Sequence, residues 1–202
     1  MASEIEAKVR VGDEAAVLRA IAAAGAEPRG AWIETDAFFD HPDERLRKGD
    51  SALRLRRRRP LDEVARSASA SGPAAVLTYK GPRVAGRMKV REELEVAVPD
   101  AEAMEGILRR LGYQQTFCYQ KRRRKWRLEG AEVTLDEVPR LGMFVEVEAA
   151  SEDEVDRLLD GLGFAGVERL TTSYLAMLVR TLGGAAGDRC VRFDDGGGVD
   201  SQ

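Results

Sequence analysis

Charge and aliphatic side chains alternate with a period of two at several places in this chain. Glu4, Glu6 and Lys8 alternate with Ile5, Ala7 and Val9; Arg54 and Arg56 alternate with Leu53 and Leu55; Glu146 and Glu148 alternate with Val145 and Val147. Successive side chains of an extended strand point to opposite faces, so each stretch reads as a strand with one charged and one apolar face. That pattern constrains the fold, because the apolar faces need cover and the charged faces need water or one another. Carboxylates suit hard divalent cations, and arginine and lysine suit phosphate. A surface that gathers both suits a metal–polyphosphate complex.

The same reading extends along the chain. Residues 3–11 form a strand, and Gly12-Asp13 opens a helix carrying Val17, Leu18 and Ile21 that Gly25 closes. Strands follow at about 30–40, 52–58, 75–81 and 88–98, with residues 61–74 as a loose Ser- and Ala-rich connector. Asp100 starts a helix with Met104, Ile107, Leu108 and Leu111 as its apolar stripe. Residues 114–128 and 131–138 pair as a hairpin around Gly130, 143–149 is a further strand, Ser151 caps a helix, and a last helix spans about 171–182. This order is not βαβ, so the expected class is α+β, a mostly antiparallel sheet with helices packed outside. Lys89, Arg91, Glu93 and Glu95, then Lys121 and Arg123, then Asp136 repeat the charged face on later strands. A closed barrel with a charged lumen satisfies all of them and leaves no exposed sheet edge. The expected domain is 1–182, with a Gly- and Asp-rich disordered tail over 183–202.

Composition removes several chemistries. A single histidine, His41, leaves no Ser-His-Asp triad and no HExxH zinc site. Charged residues make up 33% of the chain, yet the net charge is −3, which argues against a nucleic-acid-binding surface. In the basic runs 56–59 and 121–125 alternate members point opposite ways, and no GxxxxGK[ST] loop is present. No apolar run is long enough to span a bilayer, so no membrane role is expected. Cys118 and Cys190 lie far apart and suggest no disulfide framework and no zinc cluster, which points to a reducing cytoplasm.

These residues resemble those of the CYTH domain family, also called triphosphate tunnel metalloenzymes. Glu4-Ile5-Glu6-Ala7-Lys8 is similar to its ExExK signature. The likeness continues through Asp36 to Pro42, Ala52 to Arg56, Thr78 to Pro82, Arg91 to Glu95, Lys121 to Arg123, Leu135 to Val138 and Leu141 to Glu148, and covers about residues 3–180 in order. Within the family the chain is most similar to the class IV adenylyl cyclase-like branch, on His41-Pro42, Lys80-Gly81-Pro82 and Leu141-Gly142 with Phe144. Ala37 and Met143 depart from the family pattern, and the departures bear on the organic half of a substrate.

The resemblance implies an eight-stranded antiparallel tunnel that takes a triphosphate inside, with Mg2+ or Mn2+. It implies Glu4, Glu6, Glu146 and Glu148 as metal ligands, and Lys8, Arg54, Arg56, Lys80, Arg91, Lys121 and Arg123 as triphosphate ligands, with Lys89 a further candidate. Glu6, Lys8 and Asp136 are the candidate catalytic residues; Lys8 or a metal-bound water is the base, and Asp136 an outer ligand or water-orienting group. The implied activity is adenylyl cyclase-like, from ATP to cyclic AMP and pyrophosphate. The alternatives are a triphosphatase acting on tripolyphosphate, thiamine triphosphate or a nucleoside triphosphate, and a non-catalytic nucleotide- or polyphosphate-binding module. Oligomeric state stays open; small barrels of this kind often pair, so a homodimer is one option.

Overall fold

The computed structural model describes residues 2–70, 73, 75–84, 89–183 and 190–193, with the side chains of all of these except 2–4, 68–70, 84, 89 and 90. The strands are β1 (Ala2–Val11), β2 (Glu27–Asp40), β3 (Ala52–Pro60), β4 (Ala75–Val84), β5 (Lys89–Val98), β6 (Gln114–Leu128), β7 (Ala131–Val138), β8 (Gly142–Ala149) and β9 (Cys190–Val191). The helices are α1 (Glu14–Ala23), α2 (Arg45–Lys48), α3 (Glu63–Ala70), α4 (Ala101–Arg110), α5 (Glu152–Leu159) and α6 (Tyr174–Thr181). The fold is α+β: a curled antiparallel sheet in the order β2-β3-β4-β5-β1-β8-β7-β6-β9, with β2 pairing to β6 as well as to β3. β1 therefore lies between β5 and β8. Only the short β9 runs parallel to its neighbour.

Local sequence fixes the turns. Asp13, Asp100, Ser151 and Ser173 accept backbone N–H groups at the starts of α1, α4, α5 and α6. The β6–β7 hairpin turns on Glu129 and Gly130, both at positive φ, between the paired residues Leu128 and Ala131.

The apolar faces of the strands take the helices. Ala7, Val9, Val133, Val145 and Val147 pack with Val17 and Ile21 of α1 and with Val155, Leu158 and Leu159 of α5. Ala37, Phe39, Leu53 and Leu55 pack with Leu108 of α4. In α4 the expected stripe is only half used, since Leu108 is buried while Ile107 and Leu111 are exposed. Ala37 faces this outer core, which takes it away from any substrate.

Three expectations are corrected. The connector over 61–74 contains α3, started by Asp62, which accepts the Ala65 N–H at 2.7 Å. Ala and Ser carry little sequence signal there, and the helix is placed by contact: Ala65 is buried against Gly30, where a Cβ would come within 2.9 Å of its backbone. Second, α6 does not join the other helices on the apolar face. Tyr174 and Leu178 bury with Phe38, Phe117, Tyr119 and Phe144, which share the strand parity of the charged residues. α6 thus covers one end of the concave, charged face. Third, Cys118 and Cys190 form a disulfide, and β9 pairs with Cys118–Tyr119 on β6. Of the tail expected over 183–202, residues 190–193 are described and supply β9, while 184–189 and 194–202 lie outside the described residues. β6 outruns β7 toward its N-terminus, and β9 occupies the edge this leaves. The disulfide also removes the argument for a reducing compartment. Among the described residues no helix is long and apolar enough to cross a membrane.

Candidate active site

The concave face holds a cavity of about 250 Å³ whose walls are charged. It is lined by Lys8, Arg54, Arg56, Lys80, Arg91, Lys121 and Arg123, the seven cations expected for a triphosphate apart from the further candidate Lys89. Glu6, Glu146 and Glu148 line it too. Glu4 stands opposite Arg91 in β1, but its side chain, like that of Lys89, lies outside the described residues.

The cations are seated on acids behind them. Arg56 donates to both Asp36 oxygens at 2.6 and 2.7 Å, and Arg123 to both Asp136 oxygens at 2.7 and 2.6 Å. Lys121 lies 3.3 Å from each of Glu34 and Asp136. Glu34, Asp36 and Asp136 are fully buried and do not reach the cavity. Burial pushes the Asp136 carboxyl up, but Arg123 and Lys121 outweigh it and hold it below the usual range. Asp136 is thus spent on ion pairs, which fits positioning of Arg123 and Lys121 and leaves the expected water-orienting role without support. Glu34 was missed, and Asp36 was read only as part of a motif. Their alternation on β2 is legible in principle but is masked by apolar side chains on both faces, Ile33 and Phe39 on one and Trp32 and Phe38 on the other.

Lys8 is buried 3.6 Å from Glu6 and 3.4 Å from Glu146, with the Tyr174 ring 5.3 Å away. Burial lowers its ammonium, yet Glu6 first and then Glu146 outweigh that, and the net shift is upward. Lys121 moves the other way, lowered by burial and then by Arg123. The Tyr174 phenol, raised by burial and then by Asp136 and Glu146, stays protonated.

Carboxylates crowd at the other side. Glu6, Glu148 and Glu132 are cross-strand neighbours on β1, β8 and β7. Like charges in such register repel. Burial first, then Glu132, Glu6 and Glu146, push the Glu148 carboxyl up to about 7. Glu132 was also missed; the alternation Glu132, Thr134, Asp136 on β7 was the available signal. A hard cation fits this oxygen-only set, because it would relieve the repulsion that raises Glu148. Among the described residues, which leave out the Glu4 side chain, no three such groups stand close enough to share one ion. On the cationic side, the buried Nε atoms of Arg54 and Arg91 lack a hydrogen-bond partner. Buried donors of this kind call for an acceptor.

Residues 2–163 match the model of the CYTH domain, and the chain belongs to that family. A Methanocaldococcus jannaschii protein provisionally named adenylate cyclase MJ0240 is 31% identical over 159 residues, covering 78% of this chain and 83% of that one. Adenylate cyclase CyaB of Aeromonas hydrophila is 28% identical over 189 residues, covering 89% of this chain and 90% of that one. Among solved structures, the PH1819 protein of Pyrococcus horikoshii OT3 superposes with a TM-score of 0.70 at 32% identity, over 88% of this chain and 98% of that one. A Hippeastrum protein provisionally named adenylyl cyclase HpAC1, described as having a dominant triphosphatase activity, shares the fold with a TM-score of 0.62 at 22% identity, over 90% and 97%.

Proposed function

We propose that this chain is a divalent-metal-dependent enzyme acting on the triphosphate of a nucleotide or polyphosphate, with conversion of ATP to cyclic AMP and pyrophosphate as the leading activity. The carrying observation is the divided cavity: a row of crowded glutamates on β1, β8 and β7 faces arginines whose buried Nε donors lack acceptors. The names of the two curated relatives favour the cyclase. The activity described for the Hippeastrum protein favours a second reading, hydrolysis of the triphosphate. We further propose that the eight long strands enclose a tunnel, which the pairing of β2 with both β3 and β6 supports.

In this reading Glu6, Glu146 and Glu148, with Glu4, hold Mg2+ or Mn2+. The ion, when bound, supplies neutralisation of charge on the phosphates. Arg54, Arg56, Lys80, Arg91, Lys121 and Arg123 bind non-bridging oxygens. Phosphoryl transfer depends on positioning and electrostatics more than on a covalent nucleophile, so a site without histidine is sufficient. The upward shift of Lys8 keeps it charged at neutral pH, which favours a phosphate-binding role over that of general base. Tyr174, still protonated, adds a neutral donor beside it.

The test incubates purified protein with ATP and with tripolyphosphate, with and without Mg2+ or Mn2+. Cyclic AMP with pyrophosphate marks the cyclase, and orthophosphate marks the hydrolase. Binding without turnover of either would leave only a binding module and refute the enzyme. Glu6→Gln is expected to abolish turnover with Tm within about 3 °C of the parent, the scale of a change near 1 kcal/mol. Unchanged turnover in that variant would remove Glu6 from the metal site.

A further inference from the structure

Two attachments flank α6, and they differ in kind. Ahead of the helix, Leu170 and Lys8 exchange backbone hydrogen bonds of 2.8 and 3.3 Å. Behind it, Cys190 of β9 is bonded to Cys118 of β6, and Val191 packs against the cluster that buries Tyr174 and Leu178. Strands in globular proteins usually run about 3–10 residues. β9 has two, so its hold on β6 depends on the covalent bond. Phe193 adds a hydrogen bond from its N–H to Gln120 at 3.3 Å and a ring contact with the Arg122 guanidinium. α6 is itself eight residues long, and helices under about 12–15 residues are marginal in water unless packed. What it covers is sensitive to water. The Tyr174 ring centre lies 5.3 Å from the Lys8 ammonium and 5.5 Å from that of Lys121, and both lysines are buried. Excluding water there strengthens their pull on an anion.

The bond is also placed to be opened. Cys118 is buried while Cys190 is half-buried, so an incoming thiolate meets the Cys190 sulfur first. Arg192 Nε donates to that sulfur at 3.4 Å, and a cation beside a cysteine favours its thiolate. We propose that Cys118–Cys190 is a thiol–disulfide exchange site for a dithiol reductant, and that its state sets how firmly α6 closes the charged cavity; the consequence for anion binding rests on the triphosphate reading above. One thiolate of the dithiol attacks Cys190 Sγ. The sulfur–sulfur bond breaks, and Cys118 leaves as a thiolate that takes up a proton from water. The second thiolate then attacks the reductant's own sulfur in the mixed disulfide and expels the Cys190 thiolate beside Arg192. Two electrons pass to the protein, and the reductant ends as a disulfide.

The experiment compares the oxidised protein with the same protein in dithiothreitol and with Cys190→Ser. Thiol titration is expected to show the bond opened in the folded protein; a bond that survives dithiothreitol until the chain unfolds overturns the proposal. Hydrogen exchange over the first minutes is expected to quicken about tenfold across Tyr174–Thr181 on reduction, while β1 and β8 stay protected in both states. A change across α6 below about twofold overturns the proposal. So does loss of protection in α6, β1 and β8 together, which marks a staple for the whole fold. Tripolyphosphate with Mg2+, read by calorimetry, is expected to bind the reduced protein about fivefold more weakly, with reoxidation restoring the affinity. Equal binding in the two states refutes control of the cavity and leaves the triphosphate reading standing. Binding in neither state refutes the triphosphate reading, and the exchange result still decides whether the bond governs α6. Should C190S fail to fold, the reduced parent decides alone.

Discussion

If Glu148 holds the proposed metal, protons and a divalent cation compete for it. Its carboxyl is pushed up to about 7 by burial and by Glu132, Glu6 and Glu146, so near neutrality it carries a proton that a metal ion has to displace. A group with that pKa is about 0.9 protonated at pH 6, about 0.5 at pH 7 and about 0.1 at pH 8. Binding of Mg2+ is expected to release that many protons, and the apparent affinity to rise about tenfold from pH 6 to pH 8. Calorimetric titration in buffers of different ionisation enthalpy, at one ionic strength, reads the proton count directly. Glu148→Gln is expected to remove the release. The sign for stability follows from the same shift. The carboxyl lies above its ordinary 4.5, so its stabilising contribution is complete below about 4.5 and is lost as pH rises through about 7. Without Mg2+, E148Q is therefore expected to melt higher than the parent at pH 8. A release below about 0.3 protons at pH 6, where about 0.9 is expected, would refute the reasoning, and so would one that survives in E148Q.

Other outcomes follow from the packing. Asp36→Ala leaves Arg56 buried with Glu34 alone, 3.1 Å away, and is expected to cost about 3–5 kcal/mol, a fall on the order of 10 °C in Tm by thermal melting; a fall under about 3 °C would show that Asp36 does not seat Arg56. Gly30→Ala meets both a φ of 117° and backbone of α3 at 2.9 Å, so it is expected to destabilise by about 1–3 kcal/mol in denaturant unfolding; a neutral variant would show that α3 does not rest on β2. Cys190→Ser opens a link between residues 72 apart in sequence and is expected to lower stability by about 2–4 kcal/mol, read against the parent in reductant, where the difference disappears.

Much of the fold and site was legible because one rule, alternation on a strand, governs both. Glu6, Lys8, Arg54, Arg56, Glu146 and Glu148 declare their face by their aliphatic neighbours, and all reach the same cavity. The caps Asp13, Asp100 and Ser151 were equally local and equally readable. What stayed hidden is what the sequence does not encode locally. β2 is apolar on both faces around Glu34 and Asp36, because its concave end meets α6 while its convex side meets α4. The polar period is therefore diluted where two of the most deeply buried acids sit. α3 has few large apolar side chains to mark a buried face and is placed by Gly30, more than thirty residues upstream of Ala65. The Cys118–Cys190 link depends on β9 finding the open edge of β6, a matter of strand lengths in three dimensions.

The seat of β1 between β5 and β8 has a consequence for biosynthesis. The earliest strand of the domain cannot be completed on both sides until the last long strand has left the ribosome. A nascent chain stalled before Gly142 would present Glu6 and Lys8 along a bare seam, open to pairing with a neighbouring polypeptide. Sealing that seam is also what sets Glu146 and Glu148 beside Glu6, so an unfinished translation product lacks two of the glutamates proposed to hold the metal.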